Sequence, residues 1–179
     1  MKFIIFSRRL IEHIEPYNKP HIIISVRTPG DPEEAKLPVA EHTLASLRLQ
    51  FFETYGEEEL KERNQYHMQR GNAFTVDTGK YVLNFVERYV GKIEAILIHC
   101  DAGLARSPTI AYALSKTVFI NEDNKFLSTP IMRNAEIRRE LDKNPEWRVS
   151  IYEELTEKDV SHGGRLPTCF ECIMQAYRE

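Results

Sequence analysis

The residues richest in chemistry are His99-Cys100-Asp101-Ala102-Gly103-Leu104-Ala105-Arg106-Ser107-Pro108. An apolar run, Ile96-Leu97-Ile98, leads into them, and Thr109 to Phe119 follows with the pattern of a helix. A thiol is therefore expected at the end of a strand, in a short loop that closes onto a helix N-terminus. Backbone N–H groups in such a loop converge on an anion, and the helix dipole favours negative charge at the same point. The same field turns a cysteine into a thiolate nucleophile. Arg106 adds a planar fork of donors that matches two phosphate oxygens. The chemistry implied is phosphoryl transfer to Cys100. A buried strand-end cysteine with an incidental arginine would leave Gly103, Ser107 and the strand–loop–helix order unexplained.

His-Cys, five residues, then Arg-Ser is the signature of the cysteine-dependent protein tyrosine and dual-specificity phosphatases, and the chain resembles that superfamily. Rhodanese-type loops often have one residue fewer between Cys and Arg. Low-molecular-weight phosphatases and related arsenate reductases carry the loop on the first strand, whereas here it begins past the middle of the chain. A finer likeness, to small bacterial and phage members, covers roughly residues 20 to 140. Phe51-Phe52-Glu53 stands where those proteins have Phe-Asp-Asp, and Phe74-Thr75-Val76-Asp77 where they have Phe-Thr/Ser-Pro-Glu. Asn134 stands for an Asn in the helix after the nucleophile helix.

The resemblance implies a single dual-specificity-phosphatase-like domain over 1–179, hydrolysing phosphomonoesters through a cysteinyl-phosphate. Asp101, Ala102, Gly103, Leu104, Ala105 and Arg106 would bind the phosphate. Ser107 would hydrogen-bond the sulfur, although a helix N-cap is an equal reading of that residue. His99 would hold the loop, Asn134 would order the loop or the water, and no metal or cofactor is required. The expected substrate is a phosphorylated protein, phosphotyrosine first and phosphoserine or phosphothreonine second, or a small phosphomonoester. The loop's variable positions, Asp101, Leu104 and Ala105, include no basic side chain, which disfavours polyanionic substrates.

The general acid is less plainly marked. Glu53 falls at a strand end where the family carries its carboxylates, but it is one methylene longer than Asp and Phe52 replaces the first carboxylate. Asp77 is the alternative, yet two residues after the N-cap candidate Thr75 a carboxylate also simply complements the helix dipole. Asp31, in Pro29-Gly30-Asp31, is a third candidate. Without a placed acid the chain would be a weak pseudophosphatase that binds phosphorylated ligands; a sulfur-transfer or arsenate-type thiol enzyme is a more distant alternative. Cys169-x-x-Cys172 has metal-ligand spacing, but His162 is the only nearby addition and a structural zinc site needs four ligands.

These residues need a frame. Strands are expected at Lys2–Ser7, at His21–Val26, over 46–51 with alternating burial, and over 94–100. A helical turn is expected over 10–14, and helices from Thr75 to about Val90, over 109–119, 130–141 and 146–155, and from Thr168 to Tyr177. Trp147, Val149, Ile151 and Tyr152 would pack in the fourth of these helices. Residues 28–38 form a loop, about 56–72 a charged insertion, and 130–179 a helical C-terminal part. This order gives an α/β fold: a mostly parallel central sheet flanked by helices, a phosphatase-like three-layer sandwich.

At 179 residues the chain suffices for one proper core, and 42% hydrophobic with 28% charged residues is ordinary for a globular protein. A formal charge of −3 leaves no basic surface evident for nucleic acid or a membrane. An odd count of 3 cysteines suggests a reducing, cytoplasmic setting.

Overall fold

The computed structural model describes residues 1–55, 59, 73–120, 123–128, 150–152 and 155–179, with 127–128 and 150–152 by backbone alone. Strands β1 (Lys2–Ser7), β2 (His21–Arg27), β3 (Thr43–Gln50), β4 (Ala95–Cys100), β5 (Lys125–Ser128) and β6 (Ser150–Tyr152) form one sheet in the order β3-β2-β4-β1-β5-β6. The first five are mutually parallel and β6 pairs antiparallel with β5. The α/β architecture with a mostly parallel sheet thus follows from the strand pattern.

Parallel strands buried on both faces read as unbroken apolar runs, and β1, β2 and β4 do so. At the sheet edge, β3 buries Leu47 and Leu49 while exposing Leu44, Ser46, Arg48 and Gln50, the two-residue alternation of a strand covered on one face.

Helices α1 (Arg8–Ile11), α2 (Val76–Glu87), α3 (Arg106–Lys116), α4 (Glu157–Val160) and α5 (Thr168–Arg178) complete the described elements. One face of the sheet packs against α2, α3, α4 and α5 in a core that includes Phe3, Ile24, Ile96, Ile98, Val82, Val86, Ile110, Leu114 and Ile173. The opposite face is covered, among the described residues, by α1 and by Ile14, Tyr17 and Leu37 of adjoining loops. Thr75 caps α2 by accepting the Thr78 N–H at 3.2 Å, a contact typically worth about 1 kcal/mol. A Cβ at Gly79 would meet the Cys172 carbonyl oxygen at 2.8 Å, so α2 and α5 cross closely only because that position is glycine.

Two expectations change. Residues 150–152 are strand β6 rather than part of a helix over 146–155, so the part after 130 is not wholly helical. Their amide and carbonyl groups complete a ladder with β5, a tertiary pairing that overrides the helical composition of the flanking residues. Strand β5 also stands directly after the loop at Asn124, where no strand was expected. The expected helix over 130–141, Asn134, Trp147 and Val149 lie outside the described residues, as does nearly all of 56–72.

Candidate active site

The five parallel strands place their carboxyl ends along one edge, the usual location of ligand sites in such sheets. Cys100 ends β4, which lies between β1 and β2. Its side chain is buried at 2% exposure, with the Gly103 N–H donating to Sγ at 3.2 Å and Ser107 Oγ 3.1 Å away. Both neighbours offer protons that a thiolate can accept. Ser107 does not cap α3; the N-cap position is Ala105, which makes no side-chain cap, so the helix starts at Arg106, earlier than the pattern from Thr109 suggested.

Gly103 makes the turn of the loop. Its φ of +73° is left-handed, and an added Cβ would sit 2.8 Å from the Ser7 nitrogen and 2.9 Å from the Phe6 carbonyl carbon and oxygen. The loop therefore rests directly on the end of β1, where the Arg8 N–H also donates to the Asp101 carbonyl at 3.2 Å. Beneath it, His99 Nε2 lies 2.7 Å from Ser25 Oγ. Burial pushes the imidazole down to about 4, so His99 is neutral near pH 7 and serves as a hydrogen-bonded brace between β4 and β2.

Arg106 is buried and its charge is paired, as buried charges must be. Nη1 donates to the Phe51 carbonyl at 2.9 Å, and Nη2 donates to Thr28 Oγ1 at 2.9 Å and to Asp101 Oδ2 at 2.6 Å. Thr28 in turn donates its hydroxyl to the same Asp101 oxygen. The guanidinium carbon lies 5.9 Å from the centroid of Phe51, whose ring meets Phe74 edge-on at 4.8 Å. Asp101 is held below the usual carboxylate range: hydrogen bonds from Thr28 and Arg106 and the Arg106 charge outweigh its partial burial. Around the same edge, Arg8 Nη1 pairs with Asp31 and Arg8 Nε with Glu12 at 3.2 Å.

Glu53 follows β3 and lies within the field of the Arg106 charge. Cys169 at the start of α5 points its Sγ at Oε2, 3.6 Å away, while Oε1 is buried without a hydrogen-bond partner among the described residues. The segment is clamped to α5: the Thr168 N–H donates to the Thr54 carbonyl at 2.8 Å, and Thr54 Oγ1 to Thr168 Oγ1 at 2.8 Å. Burial raises Glu53 to about 7, against the opposing pull of the Cys169 thiol and the Arg106 charge. Burial likewise pushes the Cys169 thiol well up, so it remains a protonated donor. Phe52 bridges to Ala73, which returns the chain beside the same strand end.

The structure thus gathers Cys100, Asp101, Gly103, Arg106, Ser107 and His99 at one strand end and brings Glu53 within reach of the Arg106 charge. Asp77 is exposed in the first turn of α2, and its charge acts on Lys80. Asp31 is committed to Arg8. Cys172 Sγ points to the Phe74 carbonyl at 3.6 Å, so the two cysteines of the C-terminal pair take different partners. Sequence reading did not single out Thr28, which follows β2 at the carboxyl edge; that position was the available signal. Nor did it foresee the thiol beside Glu53. No family model matches the chain, and no curated protein or solved structure matches it.

Proposed function

We propose that this chain is a cysteine-based phosphatase that hydrolyses phosphomonoesters, phosphotyrosine of proteins first and phosphoserine or phosphothreonine second. The observation that carries the reading is the Cys100 sulfur, which takes the Gly103 N–H and lies against the Ser107 hydroxyl in the loop that ends at Arg106. Leu104, 39% exposed in that loop, offers an apolar edge to an aromatic leaving group.

In the first step the Cys100 thiolate attacks phosphorus in line. An S–P bond forms as the ester P–O bond breaks, and Glu53, protonated in its buried site, gives its proton to the departing oxygen. Loop amides and Arg106 stabilise the equatorial phosphoryl oxygens. In the second step water attacks phosphorus, the S–P bond breaks, and the water proton passes to the Glu53 carboxylate. Thiolate, protonated acid and inorganic phosphate result. A reducing cytoplasmic setting suits this chemistry and the three free cysteines.

The test is phosphate release from p-nitrophenyl phosphate, whose good leaving group needs little acid help. Wild type is expected to exceed Cys100→Ser by at least about 10³-fold. Equal rates would sink the enzyme reading. The pairing of Asp101 with Arg106 favours one second reading: a pseudophosphatase in which phosphate competes poorly with the chain's own carboxylate. Binding of phosphotyrosine peptide without turnover of either ester would select it.

A further inference from the structure

The cation that should receive phosphate is already occupied. Arg106 Nη1 is tied to the Phe51 carbonyl, and Nη2 serves both Thr28 and the Asp101 carboxylate. A phosphate seated in the loop needs one edge of that fork, so the Asp101–Arg106 pair must open. Asp101 is the partner able to move: its side chain is 37% exposed against 10% for Arg106. Once displaced, it becomes an unpaired carboxylate beside a phosphate dianion, a juxtaposition that like-charge repulsion opposes.

The neighbouring arginines among the described residues do not supply a replacement. Arg8 holds Asp31 and Glu12, and Arg27 donates to the Asp31 carbonyl at 3.3 Å and to Gln50 Oε1 at 3.0 Å. Neither of these two arginines is free to replace Arg106 beside Asp101, so a positive charge carried by the substrate completes the exchange. We infer that Asp101 is a specificity-determining residue that selects phosphomonoesters with a cationic side chain next to the phosphate, such as a phosphotyrosine flanked by arginine. In that exchange the phosphate takes Arg106, the flanking cation takes Asp101, and both charges of the broken pair are satisfied. The inference rests on the proposed role of the loop as a phosphate site. It adds that the rim reads charge, and that an acidic flank is rejected.

The experiment measures binding of three phosphotyrosine peptides to the Cys100→Ser protein, identical but for Arg, Ala or Glu on both sides of the phosphotyrosine. Unphosphorylated peptides serve as controls. Affinity is expected to fall in the order Arg, Ala, Glu, with about tenfold or more between the extremes. Adding Asp101→Asn should compress that spread to about twofold, chiefly by strengthening the Glu peptide, whereas Asp101→Glu should retain it. Thermal melting of both variants checks folding, and the retained preference of Asp101→Glu separates charge reading from a shape defect. Phosphopeptide binding without a charge order, or an order unchanged in Asp101→Asn, overturns this inference alone. Absence of phosphate-dependent binding together with absence of p-nitrophenyl phosphate turnover by wild type overturns the phosphatase reading, and the inference with it.

Discussion

Asp101 and Glu53 both feel the charge of one guanidinium and meet opposite fates. Asp101 gathers the Thr28 hydroxyl and Arg106 Nη2 on a single oxygen and stays ionised. Glu53 also feels Arg106, yet the Cys169 thiol, that charge and the Thr54 N–H together do not offset its burial, which lifts it to about 7. A direct ion pair and a second donor keep Asp101 charged, whereas a longer-range field from the same cation does not overcome the burial of Glu53. A single arginine can thus face a fixed anion and a carboxylic acid, the division of labour that two-carboxylate sites require.

The comparison breaks most completely if its shared reference is removed. Arg106→Lys replaces the fork by a point charge, and kcat for p-nitrophenyl phosphate should fall about 10³-fold with the protein still folded. A loss below tenfold would show that the fork does not hold the transition state.

Glu53→Gln should lower kcat for phosphotyrosine peptide on the order of 10²-fold, but for p-nitrophenyl phosphate by less than tenfold. The wild-type rate on peptide should decline as pH rises through about 7, where Glu53 loses its proton, and that alkaline limb should disappear in the variant. Equal losses on both esters would remove Glu53 from the acid role.

Stability supplies an independent measure. The folded-state pKa of Glu53 is raised, so wild type loses stability as pH climbs from about 4.5 to about 7. Glutamine does not titrate, so Glu53→Gln should gain on wild type across that window by up to about 3 kcal/mol in denaturant unfolding. His99 works in the other sense: its pKa is depressed, and its contribution is lost as pH falls from about 6.5 towards 4 in both proteins. A stability difference independent of pH would mean Glu53 is not buried as an acid.

The smallest effects sharpen the contrast. Cys169→Ser puts a stronger donor on Glu53 and should move the alkaline limb down by less than about one pH unit. Asp77→Asn, at an exposed helix start, should change kcat by less than about twofold.

The nucleophile loop was legible because its chemistry is local: Cys100, Gly103, Arg106 and Ser107 lie within eight consecutive residues. The apolar strands were legible for the same reason, since burial on both faces leaves a continuous run in β1, β2 and β4. What escaped was assembled by the fold. Thr28 reaches Asp101 across 73 positions, and Cys169 reaches Glu53 across 116. Short strands such as β5 and β6, of four and three residues, carry too few alternations to announce themselves and exist through the pairing each makes. Position 53 could be nominated from its strand end, but its protonation depends on an enclosure that no local pattern encodes.

The support of Gly103 on Phe6 and Ser7 has a consequence in time. Strand β1 is made first, yet it pairs with Ala95–Cys100 on one side and Lys125–Ser128 on the other. At the usual pace of synthesis its apolar run stays unpaired for roughly 5–20 s before β4 emerges. Pairing at such separations is slow and leaves sticky segments open to aggregation or chaperone capture. Cys100 gains its seat only when β4 docks between β1 and β2, so the reactive sulfur matures at the step that joins the two halves of the sheet, and not before.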